Sequence, residues 1–300
     1  MNRTESLPQA PHRPSWDALE RVARTARTNR ERLIEILQGF RDGGLMVAYS
    51  GGVDSTYLLH EAAQVLGDRV VAATALSESL ASDEHQRALA LAQRMGVRLA
   101  EVETQEIDNP DYRRNAPNRC FFCKQELFTR LAPLAEELCI ATIAYGAIID
   151  DLGDHRPGAA AATAHRVRAP LQEAGLSKDE IRYLSREADL PTWNQPSQAC
   201  LSSRVAYGQS IEPEWLRAIE DAERFIRGFG LHQVRVRHHG VTARIEVDAE
   251  NVAFLASPEV RGPIVERLKA LGYVYVTLDL AGFRSGSMNL ASPPSPRAED

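Results

Sequence analysis

The chain has 300 residues, which corresponds to about two domains of ordinary size. With 44% hydrophobic and 25% charged residues it has the composition of a soluble globular protein, and no apolar run approaches the roughly 20 residues that a membrane-spanning helix needs. The net charge of −6 argues against a general electrostatic attraction to nucleic acid or anionic membranes. Four cysteines are too few for a disulfide framework, so we expect a cytoplasmic protein whose cysteines serve metal or sulfur chemistry.

The first half of the chain predicts alternating helices and strands. Apolar residues at helical spacing or in short continuous runs carry this prediction. Helices are expected over 16–40, 56–66, 83–95 and 122–138, and strands over 45–49, 69–76, 97–104 and 140–149. Such alternation is typical of an α/β fold with a doubly wound parallel sheet.

The pattern changes after residue 150. The stretch 153–170 is interpreted as a long loop, and 191–200 as extended chain. Between them, Ser177 followed three residues later by Glu180 predicts a capped helix over 178–188.

The last third predicts a second, smaller α+β domain built on an antiparallel hairpin. Its elements are helices over 214–227 and 260–271 and strands over 233–237, 242–247 and 273–280, with a turn at 238–240. We place the two domains at 15–204 and 205–290, with disordered tails at 1–14 and 291–300.

A glycine-rich turn, Ser50-Gly-Gly-Val-Asp-Ser55, follows the first strand and opens a helix. Glycines let the backbone approach an anion closely, and N–H groups at a helix start suit phosphate or pyrophosphate. No lysine follows the glycines, so transfer of a γ-phosphoryl group is the weaker interpretation. The alternative is a tight turn that merely needs small residues. The residues expected to bind ATP are Ser50, Gly51, Gly52, Asp54, Ser55 and Thr56.

This turn resembles the PP-loop of enzymes that split ATP into AMP and pyrophosphate. Five further stretches, together with the turn, resemble one PP-loop family, the LarE-type ATP-dependent sulfur transferases. These stretches are 119–124, 150–158, 170–176, 199–204 and 282–287, and the resemblance runs from about residue 33 to 289. The chain differs from the family pattern at Ile148, where Asn is frequent, and at Gln195, where Lys is frequent.

The resemblance implies an enzyme that helps to make the nickel-pincer nucleotide cofactor of lactate racemase. Its substrate would be a pyridinium mononucleotide with two ring carboxylates, which ATP activates as adenylates and sulfur converts to thiocarboxylates. Cys200 aligns with the sulfur donor of the family. Asp54 and Arg204 are expected to be catalytic residues together with it. The expected partners are this small nucleotide, a sulfide or sulfur-donor protein, and further copies of the chain in a homo-oligomer, but neither membrane nor nucleic acid.

Two acidic and two basic residues complete the expected binding site. Asp150 and Asp151 offer hard oxygen ligands for Mg²⁺ on ATP, although an ordinary acidic pair at a strand end is an equal interpretation. Arg235 and Arg237 share one face of a strand and are expected to grip the phosphate of the substrate. The alternative for them is a solvated strand face.

The cysteines leave three interpretations open. Cys120, Cys123 and Cys200 resemble the three-cysteine subgroup of the family, which carries a [4Fe–4S] cluster with one open iron. A structural zinc site would need a fourth ligand, and Cys200 could instead give up its own sulfur in a single turnover. Cys139 is expected in the hydrophobic core.

Two other functional classes fit part of the sequence. A PP-loop tRNA thiolase would also use cysteines, but the acidic net charge disfavours it. A nucleotide-binding regulatory module without turnover would not need a sulfur nucleophile.

Overall fold

The computed structural model describes residues 20–153, 157–196 and 199–284. The chain divides into a larger unit, Arg13–Tyr112 with Asn118–Ala199, and a smaller unit that includes Arg113–Pro117 and Cys200–Asp300, each as far as it is described. The tails predicted at 1–14 and 291–300 lie outside the described residues. Among the described helices, none is long and apolar enough to cross a membrane.

The larger unit contains a parallel sheet of four strands in the order β3-β2-β1-β4. The strands are β1 (Leu45–Ala48), β2 (Val70–Leu76), β3 (Arg98–Glu103) and β4 (Thr142–Tyr145). The chain proceeds outward from β1 to β3 and then returns to the other side of β1. The predicted doubly wound α/β sheet is confirmed, and its order reverses between β1 and β4, where ligands bind in such sheets.

In the described part of this unit, eight α-helices accompany the sheet. They are α1 (Ala23–Gln38), α2 (Val53–Leu66), α3 (Ser82–Arg94), α4 (Pro110–Arg113), α5 (Arg119–Glu137), α6 (Pro157–Ala164), α7 (Pro170–Glu173) and α8 (Lys178–Glu187). The predicted capping box is confirmed, because the Ser177 side chain accepts the backbone N–H of Glu180 while the Glu180 carboxylate accepts that of Ser177.

Strand β1 is buried on both faces of the sheet. Leu45 and Val47 pack into one hydrophobic cluster with helices α1 and α2, whereas Met46 packs into another with α5 and α6. All three side chains are fully buried, and each such burial stabilises the fold by about 1.5–3 kcal/mol. This two-sided burial explains why the strand is a continuous apolar run in the sequence.

The smaller unit is an α+β structure around a three-stranded sheet, as predicted. Strands β5 (Val234–His239) and β6 (Thr242–Val247) form the expected antiparallel hairpin, and β7 (Tyr275–Leu278) pairs parallel to β6. Its helices are α9 (Pro213–Arg227), α10 (Val252–Ala256) and α11 (Pro258–Ala270).

A short excursion of the chain, Arg113–Pro117, belongs to the smaller unit. Its Asn115 is fully buried at φ 53°, and its side-chain amide donates hydrogen bonds to the carbonyls of Val205 and Ala206. A polar residue with a left-handed backbone thus fixes this segment, and no hydrophobic signal marks it in the sequence.

Three local predictions are wrong. The stretch 153–170 contains helix α6, because its alanine run favours helix more strongly than its Gly and Pro favour a loop. His238 and His239 belong to β5, so the turn lies at Gly240 and Val241. Within the predicted extended stretch 191–200, residues 191–194 form turns, and residues 197–198 lie outside the described residues.

Cys139 was also wrongly predicted, since it is exposed. It follows helix α5 at φ 55°. There its N–H bonds the carbonyl of Glu136, and the N–H of Ile140 bonds that of Ala135. These two bonds form a Schellman motif, which usually has glycine at this position.

Candidate active site

The glycine-rich turn connects β1 to helix α2. Gly51 has a φ of 71°, and a Cβ there would lie 2.8 Å from the Cβ of Ala88, so only glycine fits. The Oγ atoms of Ser50 and Ser55 lie 3.0 Å apart, and the Ser55 hydroxyl also accepts the Ser50 backbone N–H. The two serines therefore hold the turn closed across its base.

Helix α2 begins at this turn without a side-chain cap. Gly52 is the N-cap residue, and its first internal hydrogen bond runs from the Thr56 N–H to the Gly52 carbonyl. Because no side chain occupies the end of the helix, its first N–H groups and the positive end of its dipole are available to an anion. The expectation of a phosphate-binding helix start fits this geometry.

Strand β4 ends beside the same helix start. Ala48 and Tyr145 are register partners, so the carboxyl ends of β1 and β4 lie at the same level. The chain then passes so close to α2 that a Cβ on Gly146 would lie 2.8 Å from the backbone nitrogen of Ser55. A glycine that sequence analysis did not single out thus lets two loops meet at the edge of the sheet.

A cavity of about 270 Å³ opens at this edge. Its polar and charged lining comes from the glycine-rich turn, from α5, from the segment after β4 and from α8. Those lining residues are Ser50, Gly52, Asp54, Ser55, Lys124, Tyr145, Gly146, Asp151, Lys178 and Arg182. Its position at the reversal of strand order is where the fold predicts a ligand site.

Among the described residues, three cationic side chains line the cavity. Lys124 projects from α5 and lies over the ring of Tyr145, with its Nζ 4.2 Å from the ring centroid. Lys178 and Arg182 lie one turn apart on α8. The Arg182 guanidinium donates to the carbonyls of Trp193, at 2.6 Å, and Gln195, at 2.8 Å. The sequence around the turn correctly showed no lysine after the glycines. The positive charge of the cavity comes instead from α5 and α8, which lie far from the turn in the sequence.

Asp54 and Lys178 form an ion pair inside the cavity. The Lys178 Nζ lies 2.6 Å from both carboxylate oxygens of Asp54, and the two side chains are 34% and 25% exposed, respectively. Both partners remain accessible to a ligand.

The two predicted magnesium ligands occupy different places. Asp151 lines the cavity, and one of its oxygens accepts the Ile148 N–H. Asp150 is exposed, and its carboxylate accepts the backbone N–H of Lys178 at the start of α8. With Asp54, the cavity therefore presents two carboxylates, which are oxygen ligands that suit Mg²⁺.

Cys120 and Cys123 lie on the first turn of α5. They are three residues apart, which places them on adjacent positions of one helix face. Neither forms a disulfide; Cys120 is exposed, Cys123 is partly exposed, and Lys124 of the cavity follows directly. Among the residues described, no group of three or more His, Cys, Asp or Glu side chains is arranged to hold a metal ion.

Cys200 lies in the smaller unit and is a partly exposed free thiol. It precedes a short helical turn, Leu201–Arg204, whose last residue donates from its guanidinium to the Cys200 carbonyl at 2.8 Å. Arg204 itself is 1% exposed and forms a buried ion pair with Glu223 at 3.0 Å. Arg204 thus fixes the backbone beside Cys200.

Arg235 and Arg237 are both only 6% exposed, so the alternative of a solvated strand face is wrong. The Arg237 guanidinium pairs with the fully buried Glu246 at 2.8 Å. Arg235 donates to the Val234 carbonyl and lies over the ring of Phe283.

The charged side chains of this region shift one another's pKa values. Burial and the positive charge of Arg204 lower the pKa of Arg235 to about 10. Burial by itself would raise the pKa of Glu223, but Arg204 and Arg235 outweigh it and hold the pKa below its ordinary value. We call Arg204, Glu223, Arg235, Arg237 and Glu246 the buried arginine cluster.

Comparison with known proteins gives the family. The sequence profile of NAD synthase matches residues 29–130. An uncharacterized protein of Synechocystis sp. is 44% identical over 244 residues, 81% of this chain and 91% of that protein. A pyridinium-3,5-bisthiocarboxylic acid mononucleotide synthase of Lactiplantibacillus plantarum is 36% identical over 245 residues, 81% of this chain and 88% of that protein. The chain belongs to the LarE-type ATP-dependent sulfur transferases of the PP-loop class.

In this LarE-type chain the two positions that differ from the family pattern are both described. Ile148 is 2% exposed and packs in the hydrophobic core, so its side chain does not line the cavity. Gln195 contributes its backbone carbonyl to Arg182. Of the predicted ATP ligands, Gly51 and Thr56 are likewise absent from the cavity lining, and Thr56 is fully buried on α2.

Sequence reasoning about the LarE-type site missed the cations of the cavity, although composition holds a signal for them. Of the 35 lysine and arginine residues only three are lysines: Lys124, Lys178 and Lys269. Two of these three line the cavity. The chain uses arginine at almost every other basic position. The choice of lysine at this cavity therefore indicates that an ammonium group is needed there.

Proposed function

We propose that this enzyme adenylates the carboxylates of a pyridinium dicarboxylate mononucleotide and then replaces AMP with sulfur, giving thiocarboxylates for a nickel-pincer nucleotide cofactor of lactate racemase. The observation that carries the proposal is the cavity at the reversal of strand order, where an uncapped helix start and three cations converge. The likeness to a synthase named for the bisthiocarboxylic acid mononucleotide supports this substrate class.

The chemistry explains why an anion-binding cavity is needed. A carboxylate is a poor acyl donor because its leaving group would be oxide. Attack of a carboxylate oxygen on the α-phosphorus of ATP releases pyrophosphate, and a sulfur nucleophile then displaces AMP from the carbonyl carbon. In the proposal Ser50, Gly52 and Ser55 bind the phosphates, the N–H groups of α2 stabilise the pyrophosphate, and the cations offset its charge.

Magnesium fits the carboxylates of the cavity. Asp54 and Asp151 would hold Mg²⁺, which neutralises phosphate charge when it is bound. Asp150, which binds the start of α8, would act through the position of that helix.

The products of ATP test the proposal. With the dicarboxylate mononucleotide present, AMP and pyrophosphate should form in equal amounts, and Asp54→Asn should lower their formation by at least about 100-fold without loss of the folded CD spectrum. ADP and orthophosphate as the main products would show a phosphoryl transferase instead. Glu214→Gln, a change to an exposed glutamate in the smaller unit, is the matched control and should keep full activity.

For the sulfur source we propose a [4Fe–4S] cluster held by Cys120, Cys123 and Cys200. What supports this proposal is that none of the three cysteines forms a disulfide and that the first two occupy one helix turn. When bound, such a cluster would present a hydrosulfide, taken up from an outside sulfide source, for repeated transfer. The rival is that Cys200 gives up its own sulfur.

Anaerobic reconstitution separates the two sulfur sources. The cluster predicts a brown protein with about four irons and four sulfides, which Cys120→Ala, Cys123→Ala or Cys200→Ala abolishes. Cys139→Ala is the matched control and should retain the iron, since Cys139 is an exposed thiol at the far end of α5. Loss of the mass of H₂S from Cys200 after one turnover, without bound iron, would establish the sacrificial route.

The phosphate of the substrate mononucleotide has proposed ligands in Arg235 and Arg237. Two adjacent guanidiniums match a phosphate group, and burial strengthens a charge-assisted hydrogen bond. Arg235→Gln with Arg237→Gln should weaken substrate binding while ATP binding stays unchanged. Equal substrate affinity in the variant and the parent would leave both arginines with a purely structural role.

A further inference from the structure

We infer that Lys178 is a mobile cation that pairs with Asp54 and transfers to the pyrophosphate portion of ATP as the metal-binding carboxylate is released. The inference rests on the proposed adenylation, and it names the residue that binds the leaving group. Four observations of the larger unit carry it: the ion pair, the anchoring of α8, the contrast with Arg182, and the use of lysine.

The ion pair neutralises Asp54 within the cavity. Lys178 Nζ lies 2.6 Å from each oxygen of the carboxylate, so both oxygens that would bind a metal ion already accept from the ammonium. The carboxylate oxygens of Asp54 would exchange the ammonium for a metal ion bound with ATP, and the ammonium of Lys178 would exchange the carboxylate for the triphosphate. Exchange of partners satisfies both charges, whereas binding without exchange would leave the nucleotide facing a neutralised pair.

The backbone under Lys178 is firmly fixed, so the exchange needs only a side-chain rotation. Ser177 and Glu180 cap the helix, and the Lys178 N–H donates to Asp150 at 3.0 Å. The buried Asn29 of α1 donates to both carboxylate oxygens of Glu180, at 3.2 and 3.3 Å. The pivot of the side chain is therefore rigid while its ammonium, 34% exposed with the rest of the side chain, can turn.

Arg182 lines the same cavity but suits a different role. Its guanidinium is tied to two backbone carbonyls, those of Trp193 and Gln195. A planar guanidinium held by two bonds is a fixed positive charge, whereas an ammonium on a flexible stem can exchange partners. In a chain with three lysines among 35 Lys and Arg residues, a lysine at this position fits a cation that must move.

The chemical consequence concerns the leaving group. As the bond between the carboxylate oxygen and the α-phosphorus forms, the bond from the α-phosphorus to the bridging oxygen breaks, and its electron pair goes to pyrophosphate. The Lys178 ammonium stabilises this growing charge by hydrogen bonding. It thereby supplies, from α8, the positive charge that the glycine-rich turn itself lacks.

Binding of inorganic pyrophosphate alone, with EDTA present, tests the exchange by calorimetry. Lys178→Met should weaken binding by at least about tenfold, the loss of one charge-assisted contact. Asp54→Asn should instead tighten it about three- to tenfold, because Lys178 is no longer neutralised. The double variant, which lacks the ammonium, should not show this tightening, and Lys269→Met, which removes an exposed lysine of the smaller unit, should match the parent protein.

Amine labelling of the unaltered protein gives a second measurement that does not depend on how the variants fold. With only three lysines, the labelled peptides are assigned by mass, and Lys269 serves as the internal standard. Pyrophosphate should protect Lys178, and ATP with Mg²⁺ should protect it as well. Unchanged labelling of Lys178, together with no tighter binding by Asp54→Asn, would overturn the inference. Because both tests use ligand binding alone, they remain valid even if ATP proves to give ADP.

Discussion

The cavity of the larger unit and the buried arginine cluster of the smaller unit are both rich in charge, but they hold it differently. In the cavity, Asp54 and Lys178 are 25% and 34% exposed, and each has room to change partners. In the cluster, the side chains of Arg204 and Glu223 are each 1% exposed, and Glu246 is fully buried. An exposed ion pair can exchange partners at little cost in free energy. A buried charge that loses its partner, in contrast, strongly destabilises the fold. The comparison indicates that the charged side chains of the cavity can exchange partners, whereas those of the cluster keep one fixed geometry.

Glu223→Gln should produce the largest loss of stability. Its carboxylate accepts from Arg204, from Arg227 at 2.6 Å, and from the Val236 N–H at 3.1 Å. Removing that charge leaves buried guanidiniums uncompensated, so the free energy of unfolding should fall by about 3–5 kcal/mol in urea titrations.

The matched control for this change is Glu220→Gln on the same helix, α9. Glu220 pairs with Arg224 at the surface, where the arginine is 47% exposed. The control should cost less than about 1 kcal/mol. Equal losses in the two variants would contradict the contrast between buried and exposed charge.

His238 should give the cluster region a pH dependence. It is 3% exposed, packs on Trp215 and lies 3.4 Å from the Tyr273 hydroxyl; burial, with a contribution from His239, lowers its pKa to about 4. The unfolded chain binds the proton near pH 6.5 and the folded protein does not, so this contribution is present above pH 6.5 and is lost as the pH falls. Between pH 7 and 5 the protein should lose about 2 kcal/mol of stability from this group.

His238→Gln isolates this contribution. The variant keeps the pKa shifts of the other histidines. When both proteins are unfolded in urea, the variant should lose less unfolding free energy between pH 7 and 5 than the parent. A pH dependence identical to that of the parent would show that folding does not shift the pKa of His238.

Asp54→Asn should leave the fold almost unchanged. Its ion pair is partly exposed, so the free energy of unfolding should change by less than about 1 kcal/mol while AMP formation collapses. Thermal unfolding at constant pH checks the first quantity. A loss comparable to that of Glu223→Gln would mean that the cavity pair is structural.

Cys139→Gly should have the smallest effect and the opposite sign. Cys139 has a left-handed backbone at the end of α5, where a Cβ is unfavourable. The variant should gain up to about 1 kcal/mol in unfolding free energy, and Cys139→Ala, which keeps the Cβ, should gain nothing. Equal stability of the two variants would contradict the strain argument.

Sequence was informative where one short segment carries the signal. The continuous apolar run 45–49 predicted β1, and the Ser177 and Glu180 pair predicted the start of α8, because both depend on neighbours in the chain. The cavity could not be assembled in the same way. Its cations come from α5 and α8, more than 65 residues after the glycine-rich turn, and only the fold brings them together.

The charges of the smaller unit show the same limit. Period-two spacing correctly put Arg235 and Arg237 on one face of a strand, but it could not show that helix α9 covers that sheet with Glu223. Burial converts such a pair from a solvated surface into a fixed cluster. The residue pattern of a single sequence shows which face of a strand the side chains share. Whether that face is buried depends on which elements pack against it.

Transfer of oxygen from substrate to AMP tests the central claim most directly. The pyridinium dicarboxylate mononucleotide would be labelled with ¹⁸O in its carboxylates, incubated with ATP and the sulfur-competent enzyme, and the AMP analysed by mass spectrometry. Adenylation followed by attack of sulfur on the carbonyl carbon predicts one ¹⁸O atom in each AMP for each thiocarboxylate formed. Unlabelled AMP, or label recovered in orthophosphate beside ADP, would contradict the account.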